Sequence, residues 1–512
     1  MNNVNLFLGI GGTGSKAVEN FIHLCFSGLG PSNVWVGMVD QDSANGNVAK
    51  TKATLDHYIE LRNELKTKGK NFFSDEIGLL KTKITYTQNN YCWCPLEGTN
   101  PSLHELFSYD LMNEKLQDIA DVLYDPNEEF QLPLDEGFRA RPSIGAAAML
   151  SRIQQNNPFW KDVFEAIESA KSGNNVKIFL SSSIFGGTGA AGFPSIARVI
   201  RRMAEQEGLS QNIQIGGCLM LPYFSFPKPP EDEEGLVGYS DSFIEQSKGA
   251  LDYYHRIFGV EEKHIFNQLY VMGWDPLIPL DQFEKGGNKQ INPPLLPELY
   301  SALAAAKFFN NEDKSTSGIY HIASDQSGTI NWSDIPEINQ NENFVRKQFA
   351  QTIRFSLASK EIYMPALLDN WSNIKSEAWF KKLFNKAGLQ IKDQDDNKES
   401  ITLINGYCET YLKWIADMIL YSEFEGLNQN LIQAELFANK NNDSENSNVF
   451  LDEKLPDHKL KLFSKIIHGV KATDLSNIFY DLNDSKGSLN ATGLGLFIEQ
   501  LYKSSDVKGV IQ

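Results

Sequence analysis

Ser181-Ser182-Ser183-Ile184-Phe185-Gly186-Gly187-Thr188-Gly189-Ala190-Ala191-Gly192-Phe193-Pro194 is the stretch whose reading decides the fold. Before it runs Val176-Lys177-Ile178-Phe179-Leu180, an apolar run of strand type, and after it Ile196, Val199, Ile200 and Met203 recur at helical spacing. A glycine-rich loop therefore leaves a strand and opens a helix. That geometry aims backbone N–H groups at an anion, with the positive end of the helix dipole behind them. Glycine permits the approach because a Cβ would block a phosphate lying on the main chain. Thr188 adds a hydroxyl. The loop has no Lys, so it is not of the GxxxxGK[ST] type. A tight strand-to-helix turn that merely needs positive φ is the alternative.

Towards the N-terminus, Val4 to Leu8 reads as a first strand and runs into Gly9-Ile10-Gly11-Gly12-Thr13-Gly14-Ser15. A helix follows, with Ala17, Val18, Phe21, Ile22 and Leu24 on its apolar side. Val34 to Val39 is a second buried strand ending at Asp40-Gln41-Asp42. This is a β-α-β opening with a phosphate-type loop at its first turn. Residues 43–135 exceed an ordinary connection and read as an insertion with elements of its own. Gly137-Phe138-Arg139-Ala140-Arg141-Pro142-Ser143-Ile144-Gly145 forms a third special loop before a helix start at 146–150.

Beyond the central loop, strands are expected at Ile213 to Leu221, ending in Pro222 to Pro227, and at His264 to Met272, with loops at 227–235 and 286–294. Leu295 to Phe309 is apolar on several faces, as in a helix buried between layers. From about Asn343 the pattern is mainly helical, at Phe349 to Leu357, Tyr411 to Tyr421, Leu460 to Val470 and Leu494 to Tyr502. Polar runs at 392–400 and 439–448 interrupt it.

The chain has 512 residues, 41% hydrophobic and 22% charged, enough for two or three globular domains. A formal net charge of −18 argues against nucleic acid and against anionic membrane surfaces, which need clustered Lys and Arg. A nucleoside triphosphate is still compatible if Mg²⁺ and backbone amides offset its charge. Five cysteines do not make a disulfide scaffold, and Cys92-Trp93-Cys94 lacks the second pair a zinc site needs. The N-terminus shows no signal-peptide pattern, so a reducing cytoplasm is the expected location.

The first loop alone leaves alternatives open. Gly9-x-Gly11-x-x-Gly14 with Asp40 matches the dinucleotide fingerprint, although the spacing to Asp40 is long. The same loop with Asp40-x-Asp42 also looks like the adenylating domains of ubiquitin-activating-type enzymes, but no Arg follows the acidic pair. Neither explains the second glycine loop. The run Gly9 to Val18, the acidic Asp40-Gln41-Asp42, the loop Ala140 to Gly145, the core Gly186-Gly187-Thr188-Gly189 and the turn Tyr223 to Pro227 occur in the order of the tubulin and FtsZ superfamily. The chain resembles that superfamily, its bacterial tubulin-like branch included, over roughly residues 4 to 336. Phe185 and Ala191 stand where the family signature has its outer glycines, and Pro227 where the family has a ribose-binding Glu.

The resemblance implies a tubulin/FtsZ-like GTPase fold, a Rossmann-like and mainly parallel α/β sheet flanked by helices, with a mainly helical C-terminal region. Residues 1–310 would form the nucleotide-binding domain, with the insertion at about 43–135. Residues 311–512 would carry the catalytic-type loop and the helical part. GTP or GDP, with Mg²⁺, would be held by Gly11, Gly12, Thr13, Gly14, Asp40, Asp42, Arg139, Ala140, Arg141, Gly186, Gly187, Thr188, Gly189 and Asn292. Arg139 or Arg141 would neutralise the γ-phosphate, and Asn292 would contact the base. Asp40 and Asp42 would serve Mg²⁺ or the nucleotide. The family hydrolyses GTP with a loop of the next subunit in a head-to-tail filament. Gly328-Thr329-Ile330-Asn331-Trp332-Ser333-Asp334 fits that role, with Asn331 and Asp334 as catalytic residues. Such a loop should lie far from its own subunit's phosphates. The expected activity is slow, assembly-dependent GTP hydrolysis, the partner being a second copy or a further protein. A non-hydrolysing nucleotide-binding scaffold or sensor is the alternative, and an NAD- or ATP-dependent Rossmann-type enzyme a third. Lys16 reads as a solvated helix residue and His23 as a packed core histidine.

Overall fold

The computed structural model describes residues 2–42, 44–66, 72, 78–97, 101–125, 130, 134, 138, 142–226, 240–260, 265–280, 287–311, 317–322, 328–369, 374–381, 394–433, 463–484, 491 and 493–510. Its centre is a parallel sheet built from the apolar runs of the sequence. The strands are β1 (Asn3–Ile10), β2 (Asn33–Val39), β3 (Lys83–Thr85), β4 (Cys92–Trp93), β5 (Asn175–Ser183), β6 (Ile213–Met220), a short β7 (Phe224–Ser225), β8 (Gln268–Met272), a short β9 (Ile278–Pro279) and β10 (Gly318–Ile322). The sheet order is β10-β8-β6-β5-β1-β2-β3, with β4 also on β2 and all pairings parallel. β7 and β9 pair separately. β1, β5 and β6 are buried on both faces, which is why they read as unbroken apolar runs rather than alternations.

The chain crosses from β1 to β2 in one direction and from β5 to β6 in the other. Right-handed crossovers then place α1 (Gly11–Phe26) and α7 (Gly187–Gln206) on opposite faces. α1 packs with α2 (Gly46–Lys66) and with α9 (Leu296–Asn310), while α7 packs with α5 (Pro142–Arg152); between these in the chain lie α3 (Leu103–Phe107), α4 (Glu114–Leu123), α6 (Pro158–Glu168) and α8 (Ser240–Val260). This is the Rossmann-like α/β architecture. The strand order reverses between β1 and β5, and the crevice at the carboxyl ends of those two strands is where such sheets take ligands.

Several sequence expectations need correction. The segment 43–135 is not simply an insertion, since it supplies the crossover helix α2 and the edge strand β3. β10 lies past residue 310 yet completes the sheet, so the sheet draws a strand from the C-terminal part. Of the helix expected at Leu460 to Val470, residues 460–462 lie outside the described residues and the rest is not an α-helix. The described part is a short turn at Phe463–Lys465, an Ile432–Ile467 bridge and a strand at Val470–Lys471.

The C-terminal part is mainly helical, as its periodicity implies, with helices at Phe344–Ala358, Gln394–Leu420, Leu475–Asp484 and Gly493–Ser504. The long helix Gln394–Leu420 seats on α1 and α2. Trp414 stacks on His23 at 4.7 Å between centroids, its Nε1 donates to Asn20 Oδ1 at 3.0 Å, and Ser27 Oγ donates to the Tyr411 hydroxyl at 2.9 Å. His23 is fully buried and its pKa is pushed down by desolvation, as a packed core histidine requires. Among the described residues no helix is long and apolar enough to cross a membrane.

Candidate functional site

Both glycine stretches become helix first turns rather than free loops. β1 ends at Ile10 and α1 begins at Gly11; β5 runs on through Ser183 and α7 begins at Gly187, so only Ile184–Gly186 lies between. Neither helix has a side-chain cap, and neither has an acidic residue in its first turn. Two helix N-termini thus meet at the strand-order reversal, and among the described residues no side chain claims their leading N–H groups.

The two first turns touch. Gly11 has φ +73°, and a Cβ there would sit 3.3 Å from the Gly189 amide nitrogen. Gly14 is needed for packing rather than for ligand approach, since a Cβ would lie 2.4 Å from the Ser181 carbonyl oxygen. Ser182 Oγ closes the seam by donating to the Ile10 carbonyl at 3.2 Å.

Asp40 sits beneath these turns, 3% exposed. Its carboxylate accepts from Thr188 Oγ1 at 3.3 Å, from the Asp42 amide at 3.2 Å and from Asn45 Nδ2 at 3.1 Å. It therefore joins the end of β2 to the α7 first turn. Burial, its largest influence, raises its pKa from 3.8 to about 7. Between those values the unfolded chain is ionised while the native carboxyl holds its proton. Stability from this group is therefore fullest at low pH and falls as pH rises towards 7. An Asp40→Asn variant lacks that loss. Urea denaturation should show its stability gaining on the parent by about 2–4 kcal/mol between pH ~4.5 and pH ~8; a constant difference across the range would refute the assignment.

Asp42 is partly exposed and accepts from the Gly287 amide at 2.7 Å. The loop 287–294 then runs over the start of α2. Asn45 Nδ2 donates to Gln290 Oε1 at 3.0 Å, and the Asn292 amide donates to Asn47 Oδ1 at 2.9 Å. Asn292 is thus at the same end of the sheet as the glycine turns, held through its backbone.

Sequence reasoning missed the polar floor of the site. Lys16 is not solvated. It is 2% exposed, pairs with Glu298 Oε1 of α9 at 2.5 Å and donates to the Pro293 carbonyl. Glu298, also buried, accepts from the Tyr223 hydroxyl at 2.7 Å and from the Leu295 amide at 2.9 Å. Burial lowers the Lys16 pKa, offset by Glu298. The sequence signal for this ion pair was only a Lys one position after the glycine run.

Arg139, Ala140 and Arg141 lie outside the described residues, as does Pro227. Gly12 and Thr13 are partly exposed on the α1 first turn.

Asn331 and Asp334 correct the expectation that their loop lies at the far end. α9 does carry the chain away, its Asn310 side chain donating to the Leu29 carbonyl before β2. β10, parallel to β8, then brings it back, so that Gly273 donates to the Ile322 carbonyl. The loop that follows meets this end: Gly328 lies beside Gly426, which lies beside Pro276, and Tyr300 near the start of α9 feels the Asp334 charge. Asp334 accepts from the Asn331 amide at 2.7 Å, capping its own turn, and the Asn331 side chain accepts from Asn430 Nδ2 at 3.2 Å.

No known protein-family model matches the chain, and no curated protein is significantly similar to it in sequence.

Proposed function

We infer that the chain binds a nucleoside di- or triphosphate, its phosphates cradled by the first turns of α1 and α7. The observation that carries this reading is the contact of Gly11 with Thr188-Gly189 at the strand-order reversal, joining two glycine turns far apart in sequence. GTP or GDP is the preferred ligand on the resemblance to the tubulin and FtsZ superfamily, and the fold proposed in detail is of that type. Mg²⁺ would be held by the partly exposed Asp42, with Asp40 behind it, together with phosphate oxygens. This suits an ion that takes one or two carboxylates plus substrate oxygens, and it would offset phosphate charge. The dinucleotide reading is disfavoured, because the Asp40 carboxylate it needs for a ribose is buried and engaged by Thr188 and Asn45.

Head-to-tail assembly with GTP hydrolysis completed by Asn331 and Asp334 of a neighbour is what the resemblance implies. The position of their loop at the same end as the glycine turns, and the capping role of Asp334, favour the second reading: binding without turnover in trans, as in a scaffold or sensor. Chromatography of the supernatant after denaturing the purified protein identifies any co-purified nucleotide, and titration with GTP, GDP, ATP and NAD ranks them. Selective NAD binding would overturn the reading. Phosphate release measured against protein concentration separates the two modes. Absent activity supports binding alone, activity per molecule that stays flat means hydrolysis within one subunit and removes the role in trans, and a steep rise supports assembly-coupled hydrolysis.

A further inference from the structure

Exposed large apolar side chains are scattered over the described surface except in one place. Of the thirteen such residues, five fall between 111 and 123: Leu111, Leu116, Ile119, Val122 and Leu123, from 48% to 88% exposed. Single exposed apolar residues need no explanation, but a contiguous cluster on a folded surface does.

Four of the five lie on the helix Glu114–Leu123, which is well formed. The Asn113 side chain caps it by accepting from the Leu116 amide at 3.0 Å. One side is fastened to the protein. Ala120 is buried, Gln117 Nε2 donates to the Tyr109 carbonyl at 3.1 Å, and the Tyr109 hydroxyl donates to Asp121 at 2.7 Å. At helical spacing the side turned away from Gln117 carries Leu116, Ile119, Val122 and Leu123, with the exposed Lys115 between Ile119 and Val122 and with Glu114 and Asp118 along one border. The helix thus has an anchored side and an apolar side left to solvent. From Glu105 to Asp125 the sequence has six carboxylates and one ammonium, Lys115.

We propose that this face docks a basic amphipathic helix of a partner protein. The occupant presents apolar residues at i, i+3 or i+4, and i+7, with Lys or Arg on its flanks. The apolar stripe supplies the helix-to-helix contact, and the carboxylates select positive charge and speed encounter. A second copy is the wrong occupant, because two such faces would bring two acidic rims together on a chain already at −18. Anionic lipid is repelled for the same reason. This inference is independent of the nucleotide reading.

The test uses the full-length protein and a fluorescent amphipathic peptide of about 14 residues made of Leu and Lys in helical pattern, read by anisotropy, beside a Leu/Glu peptide of the same pattern. The Leu/Lys peptide should bind saturably and more weakly as salt rises; the Leu/Glu peptide should not bind. Leu116→Gln/Ile119→Gln should weaken binding at least ~10-fold with an unchanged thermal midpoint, since both positions are exposed. Glu114→Gln/Asp118→Asn should weaken it several-fold at low salt and flatten the salt dependence. Parental affinity in both variants, or equal binding of the Leu/Glu peptide, would overturn the proposal. So would a dimer in sedimentation that Ile119→Gln dissolves, which would make a second copy the occupant.

Discussion

A Gly187→Val variant is expected to lose nucleotide affinity by at least ~100-fold, about 3 kcal/mol, while its far-UV circular dichroism stays near that of the parent. Gly187 is the first residue of α7, and Gly186 before it has ordinary extended backbone, φ −92° and ψ 145°. A β-branched residue at the first helical position costs the fold little, under about 1 kcal/mol. The larger cost is expected on the ligand, because a branched side chain at the first helical position would crowd the leading amides of α7 that the proposed phosphates meet. Gly187→Ala should show a smaller loss in the same direction. Isothermal titration with GTP and GDP measures both. Parental affinity in the Val variant would remove the α7 first turn from the site.

Replacing Glu298 by Ala should destabilise the protein by about 3–5 kcal/mol, read as a lower urea midpoint. The carboxylate is buried and serves three donors, from Lys16, Tyr223 and Leu295. Its removal leaves the Lys16 ammonium buried with the Pro293 carbonyl as its remaining described hydrogen-bond acceptor and only the weaker attraction of Glu19, and deprives the Tyr223 hydroxyl of its acceptor. Glu298→Ala/Lys16→Met removes both charges and should recover much of the loss, because the charge left unpaired causes most of the penalty. A single variant as stable as the parent would show that the pair contributes nothing. A double variant no better than the single would locate the cost in packing.

The frame of the fold was legible because β1, β2, β5 and β6 are buried on both faces and announce themselves as apolar runs. Both glycine turns were legible for the same reason, each being preceded by such a strand. α2 was not, because its buried side includes Asn47, Thr51, Thr54 and Tyr58 as well as leucines, so its apolar periodicity is faint. β10 was missed because an exposed edge strand, with Ile319 62% exposed, carries no core pattern. That omission misplaced the loop with Asn331 and Asp334 by the whole height of the sheet. The Lys16–Glu298 pair joins residues 282 positions apart, and no local rule reaches across that distance. Leu460 to Val470 had helical apolar spacing, but Gly469 takes a positive φ of 64° and Ile467 bridges to Ile432.

α1 is a single unbroken rod with different attachments at its two ends. Its first turn touches α7 at the strand-order reversal, and twelve residues later His23 lies flat against Trp414, about 18 Å further along the axis at 1.5 Å per residue. If an anion rotates or shifts α1 at Gly11, the continuous helix offers a direct route for that displacement to the aromatic stack. On the proposed reading, Trp414 is expected to act as a native optical gauge of the distant crevice. A change in its emission on adding nucleotide, absent in Trp414→Phe, would make ligand arrival readable from the C-terminal helix.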